Sequence, residues 1–327
     1  MSGALARDRF WVIASLAALV LLAAAPALLP PFYIRVGQLI LFSAGLGLAW
    51  AVLGGLTGYW SFGHTAFIGI GAFAAALVEA ETALASPALR FALGLLAGAF
   101  FCALFAALLA YPVLRLRGIY FAIAMLGVSH VFSELNNNID WLRGSMGLIL
   151  ADVTPASIDP PTFYYEAFLA AAALTLLAAW AAKRSRFGHG LVAIREDEDT
   201  ARMLGVPTEH YKAAAFVLSA VLTGLFGVVY AHSLGYITTG SVYRDDNNLN
   251  LLVFSLLGGI GTLIGPILGA TLVVLLTQVL LGNFLDFHMF ATGLLLVVLV
   301  LAAPSGIVGL VRELRGRLPR AALRTSR

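Results

Sequence analysis

Few residues in this chain could carry out chemistry. Among 327 residues there are two lysines, Lys183 and Lys212, one cysteine, Cys102, and six histidines. Neither lysine follows a Gly-x-x-x-x-Gly pattern, so the chain carries no phosphate-cradling loop and no ATP hydrolysis of its own. No His-Glu-x-x-His spacing offers a zinc site, and no nucleophile, base and electrophile come together in sequence. These patterns predict a non-enzyme without metal or cofactor on this polypeptide. Glu79, Glu81, Glu134, Glu166 and Asp286 fall near the ends of apolar runs. Ion-coupled carriers bury such groups at the membrane midplane. Cys102, inside an apolar run, reads as a small core hydrophobe, and as a single cysteine it forms no intrachain disulfide.

Polar chemistry is concentrated in three places. The first is Gly54–Ala72, where Gly58, Ser61, Gly63, His64 and Thr65 set hydroxyls and an imidazole among close-set glycines. A half-helix starting near Ser61 would aim free N–H groups into the protein. The second, Leu257–Ala270, repeats the pattern with Gly258, Gly259 and Gly261. Interrupted helices at matching places in two halves mark the internal repeats of transporters, so these eight residues are candidates for a translocation path. Packing alone also explains glycine here: Gly261, Gly265 and Gly269 form a small-xxx-small ridge. A lone His64 is more often a packed, hydrogen-bonded residue than a ligand.

The third place is the charged insert 183–211. Projected as one helix, Leu191, Ile194, Ala201 and Leu204 share a broad apolar face, with Arg195, Asp199 and Arg202 on another. Glu196 and Glu198 add charge, and Glu198 to Arg202 is a favourable i,i+4 pair. Gly205 is placed to end the helix and Pro207 to prevent its continuation. Such a helix either lies solvated on the membrane or docks one face into a groove of a partner protein.

Everything around these stretches is apolar. The chain is 61% hydrophobic and 11% charged, against about 25% charged in an ordinary soluble domain. Recurrent runs of roughly 20 apolar residues suit membrane helices, and their continuous Leu/Ala/Val character excludes a barrel. Spans are expected near 10–30, 36–56, 59–79, 90–111, 117–136, 163–182, 212–234, 248–260, 263–282 and 284–303. With both termini inside, 16 of the 20 basic residues fall on the inner side, including six arginines from Arg312 to Arg327. That bias accounts for the basic tail without nucleic-acid binding. The expected fold is an all-α polytopic bundle of about ten helices. It has two inverted-repeat-like halves, one transmembrane domain over 1–311 with the insert 183–211, and a basic tail at 312–327.

Several segments resemble one family in order along the chain. Gly58-Tyr59-Trp60-Ser61-Phe62-Gly63-His64-Thr65-Ala66 is similar to the early signature of the M-type permease of branched-chain amino acid ABC transporters. Arg115-Leu116-Arg117-Gly118-Ile119-Tyr120-Phe121-Ala122, Ser185-Arg186-Phe187-Gly188, Gly258–Ala270 and Pro304-Ser305-Gly306-Ile307-Val308-Gly309-Leu310 resemble its later blocks. In ABC permeases a cytoplasmic coupling helix carries Glu-Ala-Ala, three residues, then Gly. Asp199-Thr200-Ala201-Arg202-Met203-Leu204-Gly205 keeps that spacing with Asp and Thr substituted.

The resemblance implies that Leu191, Ile194, Arg195, Glu196, Glu198, Asp199, Ala201, Leu204 and Gly205 couple to an ATPase. It also implies a second permease subunit, two cytoplasmic ABC ATPase subunits that hold ATP and Mg, and an extracytoplasmic substrate-binding protein. The setting is a bacterial inner membrane with lipid as the surrounding partner. The expected cargo is branched-chain or related hydrophobic amino acids; urea, short amides or aromatic acids are alternatives, and a stand-alone channel or facilitator is the reading from another class. One departure stands out. Where the family has Thr-Gly-Gly-x-x-Gly, this chain has Leu142-Arg143-Gly144-Ser145-Met146-Gly147, which bears on the cargo more than on the fold.

Overall fold

A computed structural model describes residues 21–82, 86–143, 146–280, 293 and 306–310. Most of the expected span 10–30, all of the span 284–303 except residue 293, Asp286 and the tail 312–327 lie outside the described residues. Among the described residues, six helices are long and apolar enough to cross a membrane. They are α1 (Pro31–Trp50, prolonged by a π-helical turn Ala51–Gly55), α2 (His64–Glu81), α3 (Pro87–Val113), α4 (Ile119–Asn138), α5 (Pro160–Arg184) and α8 (Thr208–Leu234). Between α5 and α8 lie α6 (Arg186–Glu196) and α7 (Glu198–Met203). Beyond α8 come α9 (Thr239–Val242), α10 (Asp245–Gly258) and α11 (Gly265–Leu275, followed by a π-helical turn Leu276–Leu280). The chain is thus an all-α, multi-pass membrane bundle, with one β-bridge between Leu148–Ile149 and Tyr236–Ile237.

Local chemistry sets the helix ends. Proline opens α1, α3, α5 and α11, where its missing N–H costs no helical bond. Gly235 closes α8 at φ +69. Asp140–Leu142, a single 3₁₀ turn, ends on Arg143 at φ +51. That left-handed backbone suits glycine, and an arginine sits in it at a cost of about 1 kcal/mol.

Three helices form the centre. About two-thirds or more of α1 and α2 and most of α8 are buried, whereas α3, α4 and α5 are mostly exposed on the outside. The central helices meet on glycine: a Cβ on Gly71 would run into the Gly224 carbonyl, and one on Gly227 into the Ile68 carbonyl. Such backbone proximity explains the small-residue content of these spans. At the far end from Arg117, Glu79 on α2 is hydrogen-bonded to His232 Nε2 (2.5 Å) and accepts from the Ala151 amide (3.1 Å), clamping α2, α8 and the loop before α5.

One expected span, 248–260, is shorter than a crossing. Residues Asp245–Gly258 make 14 residues of helix, about 21 Å, against about 30 Å of hydrocarbon. They pair with α11, the backbones touching where Gly258 faces Gly265. The expected single helix over the insert is also corrected. It is two helices, because Asp197 at φ −161 leaves the helical region and caps α7 through the Thr200 amide (2.6 Å). A short acidic side chain offers the backbone this alternative to continued helix.

Candidate functional site

Ser185 starts the insert by accepting from the Gly188 amide (3.2 Å) and donating to the Ala182 carbonyl (2.7 Å). The chain can then turn back under α5. From α6 and α7, Leu191, Ile194 and Ala201 are buried at 0, 3 and 2% exposure. They pack with Phe67, Phe216 and Ala220 in the main core cluster. Three of the four expected apolar-face residues are therefore spent on the protein's own bundle. Leu204 parts from them: it is 79% exposed, beside Met203 at 86%. Gly205 ends α7 at φ +86, with the Val206 amide donating back to the Ala201 carbonyl (3.0 Å).

Charge locks the segment down. The Glu198 carboxylate points inward and accepts from Lys212 Nζ (2.6 Å) and from the Tyr59 hydroxyl (2.5 Å). Lys212 also donates to Tyr59 Oη (3.0 Å) and to the Leu114 carbonyl (3.2 Å), which uses its three protons. Side-chain exposure is 4% for Lys212 and 8% for Glu198, so this is a buried ion pair. Arg202 stands 3.5 Å from Glu198, the expected i,i+4 pair, and Arg117 stands at 3.8 Å. Arg117 also grips Asp199 through two bonds of 2.9 and 3.0 Å.

Burial pushes the Glu198 carboxyl up, but hydrogen bonds from Lys212 and Tyr59 and the charges of Lys212 and Arg117 hold it below the usual carboxylate range. Burial, reinforced by Glu198, raises the Tyr59 phenol far above its ordinary value. Asp199 is lowered by the hydrogen bonds and charge of Arg117.

Arg195 reaches furthest into the bundle. Its Nη1 donates to the Gly55 carbonyl (3.1 Å). A Cβ on Gly58 would lie 3.0 Å from Arg195 Cγ, and one on Gly261 would lie 2.7 Å from Arg195 Nη1. One side chain therefore fills the space between both glycine-rich breaks. Lys183 Nζ, from the end of α5, donates to the Gly261 carbonyl (2.6 Å). Glu196 turns outward and pairs with Arg195 at 2.9 Å.

The first glycine-rich region breaks the helix between Leu56 and Gly63. The new helix starts at His64, with Gly63 as its cap, two to three residues later than expected. Its first amides face the protein's own groups: the Gly63 amide donates to Ser61 Oγ (3.3 Å) and the Thr65 amide to Asn248 Oδ1 (3.1 Å). Asn248, in the first turn of α10, also donates to Thr65 Oγ1 (2.7 Å), and Thr65 contacts Ser129 of α4 (2.6 Å). His64 is fully buried between Ser61 Oγ (3.1 Å) and Ser219 Oγ (2.8 Å). Ser219 donates onward to the Ala49 carbonyl (2.7 Å), so its oxygen accepts from His64 Nε2–H. His64 is thus a packed, hydrogen-bonded residue.

Ser219 lies eleven residues into α8, about 16 Å from that helix's start. The starts of α2 and α10 therefore meet about halfway through the bundle. Gly258 closes on Gly265, Gly259 sits at φ +117, and Gly261 faces Arg195.

Sequence reading overlooked Tyr59, Lys212, Arg117, Ser219 and Asn248, all separated from their partners by long stretches of chain. It placed the span of α4 near 117–136 but overlooked the exposed stripe along it. That helix packs through Phe121, Met125, Ser129 and Asn136 and exposes Gly127, His130, Glu134 and Asn138 on the opposite side. An i, i+3/i+4 reading of polar residues in the span would have found this stripe.

Residues 33–303 match the family model described as "Branched-chain amino acid transport system / permease component". The chain is 27% identical to the high-affinity branched-chain amino acid transport system permease protein LivM of Escherichia coli K12, over 95% of this chain and 77% of that protein. It is 28% identical to LivM of Salmonella typhimurium LT2, over 82% and 68%. It is 30% identical to the autoinducer 2 import system permease protein LsrC of Yersinia pseudotuberculosis, over 56% and 53%. No solved structure matches it. With the interrupted helices, the anchored basic segment and this coverage together, the chain belongs to the family of permease components of branched-chain amino acid transport systems.

Proposed function

We propose that this chain is the M-type permease subunit of an ABC importer for branched-chain or related hydrophobic amino acids. Its family is one of transport permeases rather than enzymes, and membership implies a multi-subunit import complex. In this reading two cytoplasmic ATPase subunits hold ATP and Mg, a second permease completes the path, and an extracytoplasmic binding protein delivers cargo. The complex sits in a bacterial inner membrane with both termini of this chain in the cytoplasm. The matching glycine-rich breaks support two related halves.

The observation that carries the coupling role is Arg195. It stands on the insert and contacts both glycine-rich breaks. ATPase closure would press on the exposed Met203–Leu204 tip, and the Glu198–Lys212–Tyr59 cluster would keep the segment rigid. Arg195 would then carry the displacement to Gly55 and Gly261, shifting the population between two packings. A stand-alone channel gives no reason for such a segment.

The stripe Gly127, His130, Glu134 and Asn138 supports a path along the outer side of α4. Exposed polar groups on this face suit a watery wall shared with the second permease. The LsrC relative supports a second cargo reading, autoinducer 2; urea, short amides and aromatic acids remain further alternatives.

Uptake of radiolabelled leucine by a strain lacking this chain, with urea and autoinducer 2 in parallel, tests the cargo. Loss of leucine uptake alone, restored by the chain, supports the first reading. Loss of another solute alone replaces the cargo, and loss of none overturns the reading.

A further inference from the structure

Next to the Glu198 cluster, a cavity of about 350 Å³ opens between the end of α3, the start of α8 and the outer side of α7. Its two walls differ in kind. Ala107, Tyr111 and Leu114 supply an apolar wall on the side of α3 that exposes Phe100, Leu104 and Leu108 along its length. The opposite rim carries Arg115, Arg117, Arg202 and Lys212 against the carboxylates of Glu198 and Glu209.

The deep charges are already matched. Lys212 belongs to Glu198, and Arg117 is held by Asp199. Arg115 and Arg202 stand at the mouth, Arg202 with its Nη2 also 3.5 Å from Glu198 and donating to Thr208 Oγ1 (3.3 Å). The Arg115 guanidinium lies 3.7 Å from the Tyr111 ring centre, a stacking that pre-orients its N–H fork. Arg202 stands 4.0 Å from Glu209 and is about half exposed.

We propose that this cavity binds the phosphate headgroup of an anionic phospholipid, with Arg115 and Arg202 on the phosphate and the acyl chains running up α3. An apolar wall continuous with a lipid-facing helix, closed at the basic end of the bundle by two forked cations, suits an amphiphile with a negative head. A soluble anion would leave the apolar wall without an occupant. The site does not depend on the cargo or on an ATPase; it needs only the membrane setting.

Native mass spectrometry of the purified full chain in mild detergent tests this. Short-chain phosphatidylglycerol, short-chain phosphatidylcholine and inorganic phosphate are titrated separately and in competition. One phosphatidylglycerol is expected to be retained at concentrations where phosphatidylcholine is not. Arg115→Gln should weaken that retention about fivefold, the worth of one arginine near an anionic headgroup. Arg115→Lys should lose less, and Arg244→Gln, the same charge change at the other end, should leave it unchanged. Equal retention of the two lipids, no effect of Arg115→Gln, or an equal effect of Arg244→Gln overturns the proposal. Inorganic phosphate that binds alone and displaces the lipid at millimolar concentration overturns the lipid source.

Discussion

Glu198→Ala removes the carboxylate that the buried Lys212 ammonium faces. Both side chains are under a tenth exposed, and breaking a buried pair by deleting one partner costs about 3–5 kcal/mol. Lys212 keeps its bonds to Tyr59 and Leu114, which places the loss near the lower bound, about 3 kcal/mol. If release of residues 186–205 from the bundle relieves it, the open population rises about 150-fold. Trypsin cleavage after Arg202 in the detergent-solubilised protein measures that population, provided reclosing outruns cleavage. Glu198→Ala combined with Lys212→Met should recover most of the protection, because no orphaned charge remains. A cleavage rate within fivefold of wild type in Glu198→Ala would refute the claim that this pair holds the segment.

The same cluster sets a pH limit: with the Glu198 carboxyl lowered in the folded state, its stabilisation is complete above the unfolded carboxyl value of about 4.3 and fades as pH falls through the lower folded value. Acid opening of the wild type therefore belongs below about pH 4.

Three further substitutions probe separate parts of the account. Gly205→Pro meets a φ of +86 that proline cannot adopt. It should distort the end of α7 and cut transport at least tenfold at normal membrane abundance, read by uptake and immunoblot. Gly63→Leu would drive a Cβ into the Met125 carbonyl, so it should separate α2 from α4 and abolish uptake; wild-type flux would show that this approach is dispensable. Arg143→Gly relieves the left-handed arginine. It should be neutral or raise thermal stability by up to about 1 kcal/mol, measured by scanning fluorimetry.

How much was legible in the sequence depended on how local each determinant is. The six long spans announce themselves by apolar runs, and Pro31, Pro87, Pro160 and Gly205 mark ends through their own backbone preferences. The run at 248–260, expected as a span, holds only 13 residues, and α10 at 14 residues covers about two-thirds of the hydrocarbon thickness. Periodicity carried the apolar face through Asp197 as one helix, because it registers hydrophobic spacing and not a side chain competing for a backbone amide. The pairing of Glu198 with Tyr59 joins residues 139 positions apart, and no local pattern encodes it. Ser61, His64 and Thr65 stood out by type, but their partners Ser219, Asn248 and Ser129 depend on how α2, α8, α10 and α4 pack.

The most direct test of the coupling account uses the assembled transporter in proteoliposomes, with its co-expressed ATPase and binding protein. Leucine imported per ATP hydrolysed would be measured for wild type and Arg195→Ala. The account predicts continued hydrolysis with uptake per ATP at least tenfold lower, because the link from the insert to Gly55 and Gly261 is gone. An unchanged ratio would contradict it.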